Sequence, residues 1–225
     1  MKKQRKVLIL VLMMIIVIFS ILILSFLNII PKKTYRNADF DIEQYISEHD
    51  EDLDGVDDQS DILMSVREYI ATKPKYKSKY YGSGYPDDQY GVCTDVVAYG
   101  LLGAGYDLRE LLDVDIKENR GYYDIDTVDK NIDFRRVRNL KVFFDRYAQS
   151  LTTDIYEIEQ WQGGDIIVFE KHIGIVSDKR NKKGIPYLIH HANPYQFSYE
   201  EDILEQRQDI IGHYRISSQL MIIEP

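Results

Sequence analysis

The segment Gly91-Val92-Cys93-Thr94-Asp95-Val96-Val97-Ala98-Tyr99-Gly100-Leu101-Leu102 contains the only cysteine of the chain. Residues 81–88 before it are rich in turn-forming residues, and from Val92 onward the apolar side chains recur at helical spacing. The pattern predicts a helix with Cys93 in its first turn. Unpaired backbone N–H groups and the positive end of the helix dipole favour a thiolate there. A nucleophilic thiol is one interpretation of Cys93, and a small buried apolar side chain is the alternative.

The N-terminus carries a membrane-spanning pattern. Four cations within residues 2–6 precede a nearly unbroken apolar run from Val7 to Ile30. Such a run is long enough to cross a bilayer as a helix, and the cations should stay on the cytoplasmic side. No small-residue cleavage triplet follows it, which favours an uncleaved signal anchor over a cleaved signal peptide. We therefore expect residues 1–30 to anchor the protein in the cell membrane and the remainder to be extracytoplasmic, with a linker over 31–60 and a catalytic domain over 61–225.

The extracytoplasmic part is strongly acidic. The formal net charge is −9, and the first 30 residues hold four of the 28 cations and none of the 37 acidic residues, so the rest of the chain carries −13. This charge argues against nucleic acid as a partner. Exported domains commonly use cysteines in pairs, so a single cysteine in an oxidising compartment should be either buried or used in chemistry.

An acidic run without lysine or arginine extends from Asn37 to Val66. Within it, the segment Asp50–Asp61 has carboxylates at positions 1, 3, 5, 9 and 12 and a glycine at position 6. It resembles EF-hand-type loops of extracellular proteins, in which alternate side chains converge on calcium and the glycine permits a sharp turn. The alternative is a solvated acidic linker, because position 8 is Asp57 rather than an apolar residue. The predicted calcium ligands are Asp50, Asp52, Asp54, Asp58 and Asp61.

The remaining pattern places helices before strands. Helical spacing covers residues 62–70, the Cys93 segment, 108–112 and 140–147, whereas residues 166–169, 172–177, 187–191 and 210–216 have the pattern of short strands. The sequence has no internal repeat, no phosphate-binding glycine loop and no HExxH motif, so nucleotide and zinc chemistry lack support. We therefore expect an α+β fold in which the Cys93 helix packs against a small antiparallel sheet formed from about Asp165 onward.

Two histidines stand at positions that suit a catalytic pair with the cysteine. His172 begins a predicted strand just after a charged turn, and His190 lies on the next predicted strand. A cysteine nucleophile needs a base to take its proton, and the base needs a third group that fixes its tautomer. His172 and His190 could supply these two groups, although a single histidine on a strand is usually a structural residue.

Four motifs follow one another in the chain: Gly91–Val97, Gly164–Ile167, His172–Val176 and Leu188–His190. In their order and spacing they resemble the NlpC-type, papain-like cysteine peptidases and amidases of bacterial cell walls. Three further segments, Tyr85–Cys93, Asn131–Leu140 and Gly212–Arg215, are similar to an uncharacterised family of exported bacterial proteins within that superfamily. The resemblance covers roughly Asp61 to Ile216.

The resemblance implies a papain-like fold in which Cys93 is the nucleophile, His172 the base and His190 the orienting residue. His191 and Asn193 are the alternatives for the third role, but adjacent strand residues point to opposite faces, so only one of the two histidines can face His172. We take Tyr85, Tyr90 and Asp95 as substrate-binding residues, with packing as the alternative for the tyrosines. The pair Arg135-Arg136 could clamp a substrate carboxylate or form internal salt bridges.

The expected function is that of a membrane-anchored cysteine hydrolase that cleaves amide bonds, with peptidoglycan peptides as the substrate suggested by compartment and resemblance. Catalysis should need no cofactor, and calcium is expected only in the acidic loop. The alternative is a non-catalytic module that retains the fold and binds the cell envelope.

Overall fold

The computed structural model describes residues 2–26, 32–217 and 220. The last part of the predicted apolar run, residues 27–30, and the end of the chain apart from residue 220 lie outside the described residues. The helices of the described chain are α1 (Lys2–Phe26), α2 (Asp58–Ala71), α3 (Cys93–Gly103), α4 (Leu108–Glu118), α5 (Lys130–Asp133) and α6 (Val137–Tyr147). The strands are β1 (Lys75–Tyr76), β2 (Tyr90–Gly91), β3 (Gln149–Ser150), β4 (Ile166–Phe169), β5 (His172–Arg180), β6 (Pro186–Ile189), β7 (Glu200–Glu201) and β8 (Ile210–Arg215).

Helix α1 is long and apolar enough to cross a membrane. Its segment Lys3–Ser25 spans 23 residues with a mean hydropathy of 3.6, and none of it is buried against the rest of the structure. A helix of this length crosses the hydrocarbon core of a bilayer. An N-terminal signal sequence has the same properties, so the choice between an anchor and a cleaved signal stays a prediction.

The domain is a mixed helix and sheet structure, which confirms the predicted α+β class. Six strands form an antiparallel sheet in the order β3-β8-β4-β5-β6-β7. The central strand β4 is buried along its whole length because both faces of the sheet are covered. Ile166 and Val168 face one apolar cluster and Ile167 and Phe169 face the other, as the alternation of side chains along a strand requires. A separate parallel pair joins β1 to β2, directly before α3.

Helix α3 packs between the sheet and α2. Its residues Val96, Val97 and Leu101 are fully buried in the same cluster as Ile173 and Ile175 of β5. Each such side chain contributes roughly 1.5–3 kcal/mol by leaving water. This packing holds the first turn of α3 against the first residues of β5.

The segment predicted as an acidic linker packs on the domain. The main chain of Tyr35 exchanges hydrogen bonds of 2.9 and 2.8 Å with Arg180 on β5. The Asn37 amide donates to Gln162 at 2.7 Å. Residues 35–45 are therefore held against β5 and the loop before β4 at several points. The predicted domain boundary at residue 61 stays a prediction.

Candidate active site

Cys93 is the first residue of α3 and is half-buried. Val92 precedes it in extended conformation, and the main-chain N–H of Val92 donates to Asp95 at 2.8 Å, which fixes the first turn. The main-chain N–H groups of Ile173, Thr94 and Cys93 itself interact with the Cys93 sulfur. The thiol therefore lies beside the start of β5, where Ile173 directly follows His172 in the chain.

The protonation state of Cys93 differs from the sequence-based expectation. Burial raises the pKa of the Cys93 thiol to about 11, and the opposing effect of the N–H groups of Ile173, Thr94 and Cys93 is smaller. The nearby Asp95 carboxylate also raises this pKa. The loss of water around the sulfur raises the pKa of Cys93 more than the N–H groups at the start of the helix lower it. Near neutral pH, Cys93 is therefore a neutral thiol rather than the thiolate that we expected.

His172, His190 and Glu201 form a continuous hydrogen-bonded row on three neighbouring segments of the sheet. Nε2 of His172 lies 2.8 Å from Nδ1 of His190, and Nε2 of His190 lies 3.0 Å from Oε2 of Glu201. Gln196 donates to the same Glu201 oxygen at 3.3 Å and to the His190 carbonyl at 3.1 Å. His190 is 2 % exposed, so the row runs through the interior.

The row assigns a tautomer to each ring. An ionised carboxylate only accepts hydrogen bonds, so Nε2 of His190 is the donor to Glu201 and Nδ1 of His190 is an acceptor. Nε2 of His172 must then carry a proton, which leaves a lone pair on its Nδ1. Among the described residues, Nδ1 of His172 has no hydrogen-bond partner. It is the nitrogen that can accept a proton from a nucleophile.

His172 is neutral near neutral pH. Burial lowers the pKa of His172 to about 3, and the electrostatic effects of His190 and Arg207 lower it further, against a smaller opposite effect of Asp209. Within the described part of the chain, no hydrogen bond joins the Cys93 thiol to His172. Catalytic hydrogen bonds are often long before substrate binds and tighten in the complex, so the lack of this bond does not argue against proton transfer.

The alternatives for the third role are placed elsewhere. His191 packs edge-on against Tyr76 and Tyr199, with ring centroids 5.2 and 5.1 Å away, and its Nδ1 is buried without a hydrogen bond among the described residues. Asn193 accepts from the main-chain N–H of Tyr195 in a surface turn. The structure brings His190, rather than His191 or Asn193, into contact with His172, while the catalytic role of His190 stays a prediction.

Asp95 lies inside the fold and not in a substrate groove. Its carboxylate is fully buried and accepts two hydrogen bonds from Arg135, at 2.7 and 2.9 Å, besides the one from Val92. Arg135 thus serves as an internal partner, and Arg136 pairs with Asp133 at 2.9 Å. This geometry corrects the substrate-binding interpretation of Asp95, because its oxygens are already occupied and out of reach.

The predicted groove tyrosines differ in environment, and a third tyrosine, Tyr76, lies close to the thiol. Tyr85 packs on Tyr99 and Phe134 and donates to Asp107 at 2.9 Å, as a packing residue does. Tyr90 is half-buried beneath two lysine ammonium groups, 5.1 and 5.4 Å from its ring centroid. Tyr76 on β1 is half-buried, and burial together with the neighbouring Cys93 raises its pKa. The sequence analysis missed Tyr76 because a two-residue strand leaves no periodic pattern.

A second histidine cluster lies on the same sheet and is sealed. His213 has its Nδ1 2.7 Å from the Thr152 carbonyl and its Nε2 3.0 Å from Asp165, and its ring stacks on Trp161 at 3.8 Å. Arg215 donates twice to Asp165, at 2.7 and 2.8 Å. Burial opposes ionisation of Asp165, but the hydrogen bonds from His213 and Arg215 outweigh it and lower the pKa of Asp165. We call His213, Arg215 and Asp165 the sealed cluster.

The acidic loop brings part of its predicted ligand set together. One carboxylate oxygen from each of Asp50, Asp52 and Asp54 lies within 4.8 Å of the others. Gly55 at the sixth position has φ +96°, the left-handed conformation that the turn requires. Asp58 is buried and engaged, since its oxygens accept from the main chain of Glu51 at 2.8 Å and from the Tyr106 hydroxyl at 2.5 Å.

Comparison with known proteins identifies the family. A sequence-family model described as "Domain of unknown function (DUF1287)" matches residues 63–216. The chain belongs to the DUF1287 family. It is 34% identical over 151 residues to the uncharacterized protein YijF of Escherichia coli K12, an alignment that covers 63% of this chain and 72% of the other. No solved structure matches the chain. Cys93, His172, His190 and Glu201 all lie within the DUF1287 match, whereas the acidic loop precedes it.

Proposed function

We propose that this DUF1287 protein is a cysteine hydrolase that cleaves amide bonds, with Cys93 as nucleophile and His172 as base. The observation that carries the proposal is the row from Glu201 through His190 to His172, which leaves only Nδ1 of His172 able to take a proton. A purely structural histidine pair does not need an unoccupied nitrogen, and the main-chain N–H of Ile173, which follows His172 in the chain, interacts with the Cys93 sulfur.

The first half of the reaction forms a thioester. The Cys93 sulfur attacks the carbonyl carbon of the substrate while Nδ1 of His172 accepts the thiol proton. The resulting imidazolium is stabilised through His190 by the Glu201 carboxylate, 3.0 Å from the second ring. His172 then gives the proton to the amide nitrogen as the C–N bond breaks, which releases the amine.

The second half hydrolyses the thioester. Water gives a proton to Nδ1 of His172 as its oxygen attacks the thioester carbonyl, and the C–S bond then breaks. The thiol recovers the proton and the acid product leaves. The main-chain N–H groups of Cys93 and Thr94 at the start of α3 are the donors for the negative oxygen formed in each half, because the first N–H groups of a helix have no partner within it.

Because Cys93 and His172 are both neutral before substrate binds, His172 must take the thiol proton during the reaction. With the pKa of Cys93 raised to about 11 and that of His172 lowered to about 3, an ion pair is not preformed. Proton transfer therefore accompanies attack on the carbonyl. Alkylation of Cys93 at neutral pH is a weak test of the site, because a neutral thiol reacts slowly with electrophiles.

Peptidoglycan peptides are the substrate class that we propose. The support is twofold: an N-terminal helix apolar enough to span a membrane, and the resemblance of the Cys93, His172 and His190 motifs to NlpC-type, papain-like cell-wall enzymes. A papain-like arrangement is likewise proposed, since α3 carries the cysteine on its first turn against an antiparallel sheet.

The test is incubation of the full-length protein in detergent with purified peptidoglycan, followed by mass spectrometry of the released muropeptides. We expect new amine and carboxylate ends with wild type and none with Cys93→Ala. With His172→Ala the rate should fall by at least about 10³-fold. His190→Ala should lower activity strongly and His191→Ala little. Circular dichroism confirms that each variant folds. No cleavage by wild type together with peptidoglycan binding by Cys93→Ala would favour the envelope-binding module instead.

A further inference from the structure

The acidic loop preceding α2 lies outside both the DUF1287 match and the proposed mechanism. Asp50, Asp52 and Asp54 hold three carboxylate oxygens within 4.8 Å of one another, and Asp52 and Asp54 are exposed to solvent. Hydrogen bonds from Asp54 and Gly55 N–H groups to Asp50, at 3.1 and 2.9 Å, hold the turn. Clustered acidic side chains are common without a bound ion, so the cluster needs an independent sign of a ligand.

That sign is Asp61 at the start of α2. Asp61 is only 4 % exposed, and its Oδ2 is buried with no hydrogen-bond partner among the described residues. The carboxylates of Asp54, Asp52 and Asp50 lie near enough to Asp61 to act on it electrostatically. A buried carboxylate oxygen without a partner is strongly unfavourable, so its place near three other carboxylates indicates a missing positive charge.

We propose that Asp50, Asp52, Asp54 and Asp61 bind a calcium ion. Asp50, Asp52 and Asp54 supply the three converging oxygens, and Asp61 supplies a buried oxygen without a partner among the described residues. All are carboxylate oxygens, which hard cations prefer, and the converging group contains no histidine or cysteine that would favour zinc. Calcium suits a loop with several carboxylates better than magnesium does, since magnesium demands strict octahedral geometry and keeps most of its water. Asp58 is a supporting residue, because both of its oxygens are occupied by Glu51 N–H and the Tyr106 hydroxyl.

The site joins three parts of the domain. The loop packs so closely on Gly105, after the end of α3, that a Cβ there would lie 3.2 Å from the Asp52 nitrogen and 3.0 Å from Cγ of Glu51. The Tyr106 hydroxyl donates to Asp58 at the first turn of α2. Calcium would therefore fasten the loop and the start of α2 to the far end of the helix that begins with Cys93. This role is independent of the proposed hydrolase activity.

The proposal predicts calcium binding by the metal-free full-length protein in detergent, measured by titration calorimetry. We expect a dissociation constant of about 10⁻⁴–10⁻³ M, the range of extracellular calcium modules. Asp61→Asn and the double variant Asp52→Asn/Asp54→Asn should each weaken binding at least tenfold. The matched control is Glu43→Gln/Glu48→Gln, which removes two exposed charges from the same segment and should bind as wild type does.

Thermal unfolding is a second readout, in which Asp61→Asn should weaken calcium binding without lowering the melting temperature of the calcium-free protein. Without calcium this variant should melt at or above the wild-type temperature, because one of the mutually repelling charges is gone, and calcium should no longer raise its melting temperature. Wild type should gain a few degrees in millimolar calcium and distinctly less in equal magnesium. An absence of binding heat and of any melting shift up to about 10 mM calcium would overturn the proposal. Equal effects of magnesium, or equal weakening in the control variant, would also overturn it, since both indicate nonspecific screening.

Discussion

The two histidine clusters of the sheet contain similar groups but differ in which ring nitrogens are occupied. In the sealed cluster, both nitrogens of His213 face acceptors, the Thr152 carbonyl and Asp165. In the row that ends at His172, every nitrogen is engaged except Nδ1 of His172 itself, as far as the described chain shows. A histidine can act as a base only through an unoccupied nitrogen. The comparison therefore indicates a structural role for His213 and supports the proposal that His172 is the base.

The two clusters also differ in what their carboxylates stabilise. Asp165 is fully buried and neutralised directly by Arg215, which ties β8 to the loop before β4. Glu201 sits on a two-residue edge strand and acts on His172 only through His190. Loss of Asp165 should therefore lower stability, whereas loss of Glu201 should lower the rate of the reaction.

The largest expected effect is the loss of stability in Asp165→Ala. This substitution leaves Arg215, itself 8 % exposed, without its buried partner, so the free energy of unfolding should fall by about 3–5 kcal/mol. Asp178→Ala is the matched control, because Asp178 also has two cationic partners, Arg36 and Arg67, but its side chain is 37% exposed, and a loss of about 1 kcal/mol or less is expected. Denaturant unfolding of the full-length protein measures both. Equal losses would show that the sealed cluster is no more than a surface ion pair.

The next effect concerns Glu201 as a positioning residue. Glu201→Leu removes both the charge and the acceptor that fix the His190 tautomer, so kcat should fall by about 100-fold, whereas Glu201→Gln keeps an acceptor and should lose about tenfold. Glu200→Gln is the control, since Glu200 faces the opposite side of β7 and pairs with Arg67 at 3.0 Å and with Lys179.

Muropeptide release assays over a pH series give the readout for these three variants. A merely structural role for Glu201 would lower activity through the amount of folded protein and leave the pH profile unchanged. An equal loss of kcat in Glu200→Gln, or a full rate in Glu201→Leu, would contradict the positioning role.

The strands could be predicted from sequence where burial leaves a pattern. Residues 166–169 form an apolar run because β4 is covered on both faces, and the prediction matches the observed strand. The edge strand β7 is only two residues long and contains two glutamates, so neither its existence nor the contact of Glu201 with His190 left a local signal. Long-range pairing creates that part of the candidate site.

The charge states of the site could not be predicted from sequence for a related reason. The position of Cys93 at the start of a helix predicted a thiolate. The burial that raises the pKa of the Cys93 thiol, however, depends on the packing of β5 against α3. Asp95 was likewise predicted to bind substrate, because its partner Arg135 lies forty residues away in the chain and left no local signal. Local spacing places chemical groups along the chain, but tertiary packing decides whether they face water, a partner or each other.

The smallest expected effect is a loss of folding stability at acid pH that is caused by His172 and His191. Burial lowers the pKa of His172 to about 3 and that of His191 to about 4, from an ordinary value of 6.5. Above pH 6.5 both are neutral in the folded and unfolded states. As the pH falls below 6.5, the unfolded chain binds protons that the folded chain does not, so stability declines by up to about 1.4 kcal/mol per pH unit for each histidine. The lowered pKa of Asp165 keeps the sealed cluster charged until the pH falls below 3.8.

His191→Phe isolates one share of this acid sensitivity. The phenyl ring keeps the contacts with Tyr76 and Tyr199 but cannot titrate, so between pH 7 and pH 4 the variant should lose about 3 kcal/mol less stability than wild type. Denaturant unfolding at a series of pH values measures the difference. All other titrating groups, Asp61 among them, are the same in both proteins and cancel in the comparison. Parallel stability curves for the two proteins would mean that His191 is solvated in the folded state, and would remove the buried, neutral environment that we assign to this side of the site.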